Sequence, residues 1–528
     1  MLGSPRAAAR PPGWWCLVHG AKAAEAGWRP WEAAKGCRSE WLGLAPMTMG
    51  DHRLLFGWRA ALGGVLAGLA PSLGGPLLMV PALALLWSLA ERTRWCAVWG
   101  LLAVLVSHAW LLSLHPLTWM GVPALLSLPV AITLWLVCGM CAAALLALWS
   151  LVLQRCRRWF PRLAPWLLAG VLALIWALAE LVLSGSPLFW IGVGGSTLPW
   201  DLPLAGLSRW FGSGGLVVIQ LMWAWWLCGL VKHRATQRVA HRVADRVASR
   251  RGLWIGFGSL LLAHGLGAVL LVTAPPATGA LSLAVWQPAV PTREKLDPER
   301  QRQLPQALLA ALQVAEGEPV DALVAPEGVL PSGWRMPQGS PPVPLISGGF
   351  RWVRGQQRSS LLLFSPGAER PYPLLDKHRL VPIGEWIPPL PGGLTAGLSA
   401  VGGLHPGGAS RLFSLFDSPA AGAICYEIAD GSTLALATAE GADWLLSIAN
   451  LDPYPLQLQQ QFLALAQLRA IESGRDLLSI ANTGPTALIS ADGHVERLLP
   501  PMQAGLATVT VQLREEVGFY PWLVSILR

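Results

Sequence analysis

The sequence predicts a multi-span α-helical membrane domain followed by an α/β layered sandwich that faces away from the cytoplasm. Three observations predict it. Hydrophobic residues make up 53% of the 528 residues and charged residues only 13%, a balance too apolar for an ordinary soluble protein. Seven apolar runs, each close to the roughly 20 residues that cross a bilayer, fill the stretch 54–273. Beyond them, strand-like and helical stretches alternate, as in a sheet layered with helices.

Residues 1–46 are rich in Ala, Gly, Arg and Trp without a sustained period, and they lack the continuous apolar core of a secretory signal. They are expected to be a non-native or disordered extension, with Met47 or Met49 as the native first residue. The membrane domain is expected over 47–273, with spans at about 54–71, 74–90, 95–114, 125–153, 164–184, 213–231 and 253–273. Trp58, Trp95, Trp119 and Trp254 sit at the ends of apolar runs, where an indole suits the lipid–water boundary. The formal net charge is +9, but much of it lies in short loops, which favours a topological reading over nucleic-acid binding. Glu91-Arg92-Thr93-Arg94 follows span two, Arg155, Arg157, Arg158 and Arg162 follow span four, and seven Lys or Arg against one Asp fill 232–251 after span six. These are alternate loops, so the positive-inside rule puts them in the cytoplasm and everything after Thr273 outside it. Arg234, Arg238, Arg242, Arg246 and Arg250 recur every four residues. On a helix they form one basic stripe, read either as a binder of anionic headgroups or as a solvated face that fixes topology. Glu180, near the middle of an apolar run, must face protein or water. It reads either as lining a path for a polar headgroup or as a buried structural hydrogen-bond partner.

Ala274-Pro275-Pro276-Ala277-Thr278-Gly279 is a linker. The outer domain is expected over 280–515, with strands at 281–286, 322–325, 344–347, 360–364, 421–424, 444–448, 477–480 and 486–489 and helices at 298–316, 432–440 and 456–472. Asp492-Gly493 signals a hairpin turn after the last strand. The tail, 516–528, is too short to span a membrane and is expected to be truncated. No zinc-type cysteine pairing and no phosphate-binding glycine loop appears, and the reading calls for no metal, no cofactor and no nucleic acid.

The chemistry centres on Ala423-Ile424-Cys425-Tyr426-Glu427, where a short apolar strand delivers a thiol. Cys425 is the only one of eight cysteines after Cys228, so the outer domain offers it no disulfide partner. Alone it reads as a small buried hydrophobe. Two further segments turn the reading to chemistry: Ala325-Pro326-Glu327-Gly328, and Asp376-Lys377-His378-Arg379-Leu380-Val381-Pro382-Ile383-Gly384-Glu385. A cysteine attacks as thiolate and needs a base or a positive neighbour. Glu327 can take the thiol proton if burial raises its affinity for one. Lys377 supplies a fixed positive charge for the thiolate and then for a tetrahedral oxyanion, helped by the backbone N–H after Cys425. Glu385 and Glu427 are candidates to orient the lysine or to position a substrate amine.

This set resembles the nitrilase, or carbon-nitrogen hydrolase, superfamily of Cys-Glu-Lys enzymes. With the preceding spans it is similar to the bacterial apolipoprotein N-acyltransferases. The run Asp443-Trp444-Leu445-Leu446-Ser447, Gln467 to Glu472 and Asn482-Thr483-Gly484 extend the likeness, and the membrane part adds Glu180 and the stretch 187–192. The resemblance implies a multi-pass protein of the bacterial inner membrane whose catalytic domain, an αββα sandwich, lies on the periplasmic side. It implies an acyl chain taken from a phospholipid onto Cys425 as a thioester. The chain then passes to the α-amine of a diacylglyceryl-modified lipoprotein. By position, Cys425 would be the nucleophile, Glu327 the general base and Lys377 the oxyanion residue, with Glu385, Tyr426 and Glu427 as supporting pocket residues. Trp386-Ile387-Pro388-Pro389-Leu390 reads as an apolar lid at the bilayer surface. The chain departs from the family pattern in three ways. There is no tryptophan near Lys295-Leu296-Asp297, Leu451-Asp452-Pro453-Tyr454 replaces a Trp-Phe-Gly loop, and no full last span closes the chain. A membrane-anchored amidase or hydrolase, using the same thioester with water in place of the amine, is the competing reading. A non-catalytic scaffold is the third, and the intact triad argues against it.

Overall fold

The computed structural model describes residues 49–528 except 121, 187–190, 238–242, 293–297, 339–340, 383 and 387–402. The chain forms two compact units, Met1–Arg59 and Ala60–Arg528. Of the first, only the start of helix α1 lies among the described residues, and the expectation for 1–46 falls outside them.

Helices occupy all seven apolar stretches: α1 Met49–Leu73, α2 Pro76–Leu89, α3 Thr93–Ser107, α4 Ala124–Trp159, α5 Pro165–Ser184, α6 Ser208–Gln237 and α7 Val243–Val272. Five of them are long and apolar enough to cross a membrane; α2 and α3, at 14 and 15 residues, are shorter. The expected run 95–114 does not stay α-helical: it ends at Ser107 and continues as a 3-10 turn, Ala109–Leu114, just before Pro116. Proline has no N–H to give and disfavours helical geometry in the residue before it. Helices α6 and α7 run past the apolar residues into the basic connection, where Ala and Arg are good helix formers. The side chains of the expected arginine stripe lie outside the described residues. Leu77, Leu125, Leu178 and Val182 are exposed along these helices, as lipid-facing side chains should be.

Two six-stranded sheets build the outer domain. The strands are β1 Gly279–Gln287, β2 Ala322–Leu330, β3 Leu345–Val353, β4 Gln356–Phe364, β5 Tyr372–Asp376, β6 Leu412–Leu415, β7 Ser418–Ile424, β8 Trp444–Ala449, β9 Leu477–Ala481, β10 Thr486–Ile489, β11 Val495–Leu499 and β12 Gly505–Leu513. The sheet orders are β12-β1-β2-β3-β4-β5 and β11-β10-β9-β8-β7-β6. Each has three parallel strands at its centre, β1-β2-β3 and β7-β8-β9, with antiparallel flanks. The inner faces share one core in which Leu283, Val324 and Ile346 meet Ile424, Leu446 and Ile480. Helix α8, Pro298–Glu316, covers the outer face of the first sheet through Leu304, Leu308 and Leu312. Helices α9, Gly431–Ala439, and α10, Leu456–Ser473, cover the second. The layering is therefore α-β-β-α. The eight expected strands are present, some longer than expected, and the Asp492-Gly493 turn joins β10 to β11 with Gly493 at φ 84°.

Helix α10 is buried along most of its length, because its second face meets the membrane domain. Ala464, Leu468 and Ile471 pack with Leu198, Leu204 and Leu216. Polar ties reinforce the contact: Gln461 donates to Ser72 at 2.6 Å, Ser213 N–H donates to Glu472 at 2.6 Å, and Arg209 donates to the carbonyls of Leu270 and Ala491. The tail ends in α11, Phe519–Leu527, a short amphipathic helix with Tyr520 buried and Trp522 and Ile526 exposed.

Candidate active site

Glu327, Lys377 and Cys425 each stand at the end of, or at a break in, a strand, so the sheet backbone fixes where they sit. Glu327 lies inside β2, where the register with β3 slips between Ala325 and Leu330. Gly328 takes φ 69°, a left-handed value that favours glycine, and this bulge re-aims the chain at the glutamate. A side chain at Gly348 of β3 would put its Cβ 2.5 Å from the Glu327 Cα, so β3 is packed hard against that backbone. Lys377 follows β5 directly, its N–H donating to the Ser359 carbonyl at 2.8 Å. Cys425 follows β7 with φ 58°. That left-handed value is uncommon outside glycine and marks a sharp elbow between the strand and the 3-10 turn Cys425–Ala429.

The three elements converge. Lys377 is fully buried, and its Nζ donates to Glu327 Oε1 at 2.8 Å and to Glu385 Oε1 at 2.6 Å. Glu385 Oε2 in turn accepts from the Val381 N–H at 2.9 Å, which closes the turn that brings it back to the lysine. The second oxygen of Glu327 accepts from the Asn450 N–H at 3.1 Å. Glu327, Lys377 and Glu385 all lie near enough to the Cys425 thiol to act on its proton affinity. Asn450 is itself held by Asn482 Nδ2 at 2.9 Å and by the Thr292 hydroxyl at 3.0 Å.

Proton affinities follow from this crowding. Burial alone would lower the Lys377 ammonium, but Glu327, Glu385 and Cys425 around it hold it well above the ordinary lysine value. Burial pushes the Cys425 thiol well up, the Glu327 carboxylate adds to this, and Lys377 opposes it. Burial also raises Glu385 against the pull of Lys377. At rest the site therefore holds a neutral thiol and a firmly protonated lysine that bridges Glu327 and Glu385. Attack by sulfur requires the proton to leave as the new bond forms, and Glu327 is in place to take it.

Tyr426 and Glu427 stand one step away. The Tyr426 hydroxyl donates to the Leu380 carbonyl at 2.9 Å, and burial pushes it up to about 12. The Glu427 oxygens accept from the N–H groups of His378, Arg379 and Ile424 at 2.8, 3.0 and 2.9 Å and from Arg411 Nη1 at 3.0 Å. Glu427, expected to orient the lysine or position a substrate amine, is carried by the short turn after the elbow to the backbone that follows Lys377. Arg411, Asn450 and Tyr454 were not singled out as site residues. Tyr454 lies close enough to Cys425, Lys377, Glu385 and Glu327 to feel their charges, is stacked on Phe462 at 5.9 Å, and meets Trp110 edge-on at 5.5 Å. Its signal was the Leu451-Asp452-Pro453-Tyr454 replacement itself. Of the expected lid, only Trp386 is among the described residues; it is 40% exposed. Glu180 accepts from Trp176 Nε1 at 2.9 Å and from the Val193 N–H at 2.9 Å, and it also lines the cavity among the membrane helices.

Comparison with known proteins closes the question of kinship. No protein-family model matches the chain. Among solved structures it is similar to a mutant of Nesterenkonia AN1 amidase from the nitrilase superfamily, at 15% identity and TM-score 0.33 over 47% of this chain and 95% of that one. A CN-hydrolase superfamily protein from Xanthomonas campestris gives 16% identity and TM-score 0.32 over 44% and 91%. The chain is 61% identical over 478 residues to the apolipoprotein N-acyltransferase of Parasynechococcus marenigrum, covering 90% of this chain and 99% of that one. It is 53% identical over 476 residues to that of Prochlorococcus marinus, covering 89% and 93%. It is 30% identical over 514 residues to that of Thermosynechococcus vestitus, covering 92% and 96%. With a multi-helix apolar body, an αββα outer domain and identity of this extent over nearly the whole chain, the protein belongs to the apolipoprotein N-acyltransferase family.

Proposed function

We propose that this protein moves an acyl chain from a phospholipid to the N-terminal amine of a diacylglyceryl-modified lipoprotein, through a thioester on Cys425. The observation that carries the mechanism is the joint contact of Lys377 with Glu327 and Glu385, beside a thiol at a strained strand end. In the first half-reaction, Sγ attacks the phospholipid ester carbonyl as Glu327 takes the thiol proton. Lys377 Nζ and the Tyr426 N–H hold the oxyanion. The carbon–oxygen bond to glycerol then breaks, Glu327 returns the proton to the departing alkoxide, and a lysophospholipid leaves. In the second, the lipoprotein amine attacks the thioester, Glu327 accepts the amine proton, and the thiolate leaves and is reprotonated. Glu385 keeps the lysine oriented in both steps.

The membrane domain supports a lipid donor. An apolar cavity of about 210 Å³ lies among its helices, lined by Val104, Leu146, Trp149, Trp176 and Ile191, and Trp110 on its wall is the residue that meets Tyr454. A hydrolase would need only one anchor, so five or more apolar helices favour transfer over the amidase reading. The basic residues of alternate loops support a multi-pass chain in the bacterial inner membrane, with seven spans and the catalytic domain on the periplasmic side.

The test is mass spectrometry of the purified protein. Incubation with phospholipid is expected to add an acyl mass to Cys425, and a diacylated lipopeptide is expected to remove it and appear triacylated. Release by water alone at the same rate would support the amidase reading, and no adduct at all would sink both. Reporter fusions after Arg242 and after Thr278 are expected on opposite sides of the membrane; the same side for both would overturn the topology.

A further inference from the structure

The segment 407–411, between the described part of the lid region and β6, straps the lysine into place. Gly407 N–H donates to the Lys377 carbonyl at 2.8 Å, and its own carbonyl faces His378 Nδ1 at 2.9 Å. The contact is close: a Cβ at Gly407 would lie 2.2 Å from the Asp376 Cβ. At the far end of the strap stands Arg411, only 3% exposed. Its Nη2 donates to the carbonyl of Asp376, the residue before Lys377, at 3.0 Å and also to Gly408. Its Nη1 reaches both oxygens of Glu427 at 3.0 Å. Glu427 in turn holds the N–H of Ile424, the residue before Cys425, and the two N–H groups that follow Lys377. One guanidinium therefore spans the two backbone segments that carry the lysine and the nucleophile.

We infer that Arg411 is a positioning residue for acyl transfer: it fixes the Lys377 strand end against the Cys425 elbow, so that ammonium and sulfur stay in register. The inference rests on the reaction proposed above for Cys425 and Lys377. Other cations near Glu427 are engaged elsewhere. Arg379 pairs with Asp430 and donates to the Ser184 carbonyl at 3.0 Å, and Arg351 and Arg358 are bound to the Asp376 carboxylate. A lysine at position 411 would keep the charge but lose the planar fork that holds Glu427 and the Asp376 carbonyl together. Misplacing reacting groups by about 1 Å can cost roughly 10²-fold in rate.

Pre-steady-state acylation of the full-length protein by phospholipid separates alignment from folding. The burst amplitude counts competent sites, and the burst rate constant reports how well each is aligned. Arg411→Met is expected to lower the rate constant about 10²-fold with little change in amplitude or in the phospholipid concentration at half-maximal rate. Arg411→Lys is expected to recover about a tenfold part of that loss. A residue that merely stabilised the fold would lower the amplitude and leave the rate constant of surviving sites alone. Wild-type rate constants in both variants would overturn the inference. If Arg411→Met does not accumulate in membranes, the rate constant of Arg411→Lys decides the matter alone. Absence of any burst in the wild type would instead strike the proposed reaction.

Discussion

Two buried charged clusters neighbour Cys425, and they are assembled on opposite electrostatic plans. In the first, one ammonium, Lys377, is shared by Glu327 and Glu385 near the Cys425 thiol, and each glutamate has one backbone N–H besides, from Asn450 or Val381. Burial raises the proton affinities of Glu385 and Cys425, and the acids around Lys377 raise its own against burial. In the second, one carboxylate, Glu427, accepts from three backbone N–H groups and from a guanidinium of opposite charge. A buried charge that is paired and fully hydrogen-bonded is locked to its frame. The comparison teaches that crowding of acids around a shared cation keeps a proton movable, whereas saturation of a single acid keeps a backbone still. The same sheet ends supply both.

The comparison can be broken most severely at Cys425, the proposed nucleophile. Cys425→Ala and Cys425→Ser are expected to abolish acyl-enzyme formation completely while the protein stays folded in the membrane, since no other cysteine lies in the outer domain. Intact-protein mass spectrometry reads this, and continued acylation of either variant would refute the mechanism. Next come the partners of the thiol. Lys377→Ala and Glu327→Gln are each expected to cost about 10²–10³-fold in single-turnover acylation. Glu427→Gln is expected to lose stability in addition to the alignment that Arg411 maintains through it. Removing one partner of a buried, hydrogen-bonded pair costs about 3–5 kcal/mol, so a clear drop in thermal stability is expected. A Glu427→Gln protein that melts like the wild type would erase the distinction between the two clusters.

The smallest expected effect concerns acid. Asp376, next to the lysine, is held by Arg351 at 2.7 and 2.6 Å, Ser360 at 2.7 Å and Arg358 at 2.9 Å. Burial works against its charged form, but these donors outweigh burial and lower it to about 2 from 3.8. Because the folded value lies below the unfolded one, its contribution is fully present above about pH 4 and is lost as pH falls toward about 2. Converted at 1.36 kcal/mol per unit, that contribution is about 2 kcal/mol. Asp376→Asn should therefore flatten the acid limb of a denaturation profile between about pH 4 and 2, and an unchanged limb would show that these donors do not stabilise the charged form.

Much of this arrangement could be read along the chain. The apolar runs located the helices of the membrane domain because the bilayer imposes a length on any span. The buried parallel strands announced themselves as short apolar runs, and Cys425 followed one of them. Four strands were not legible. Tyr372–Asp376 and Leu412–Leu415 are too short for a period to emerge, Val495–Leu499 carries Glu496 and Arg497 on an exposed edge, and Gly505–Leu513 is only partly buried. The break at Ser107 was also invisible, because hydrophobicity does not distinguish an α-helix from a 3-10 turn.

Residue types and their succession determined by themselves that this chain enters a membrane, that an α/β domain follows, and that a thiol, a carboxylate and an amine are available at strand ends. Those properties are local: each depends on a few neighbours and on the solvent they face. Which acid touches the lysine was decided only by tertiary structure. Glu385 and Glu427 looked equivalent in sequence, yet the turn 381–385 brings one onto Lys377, while the turn after Cys425 sends the other to Arg411. The pairing depends on backbone paths that register, bulges and a left-handed elbow fix across strands far apart in the chain, and side-chain identity carries no record of those paths.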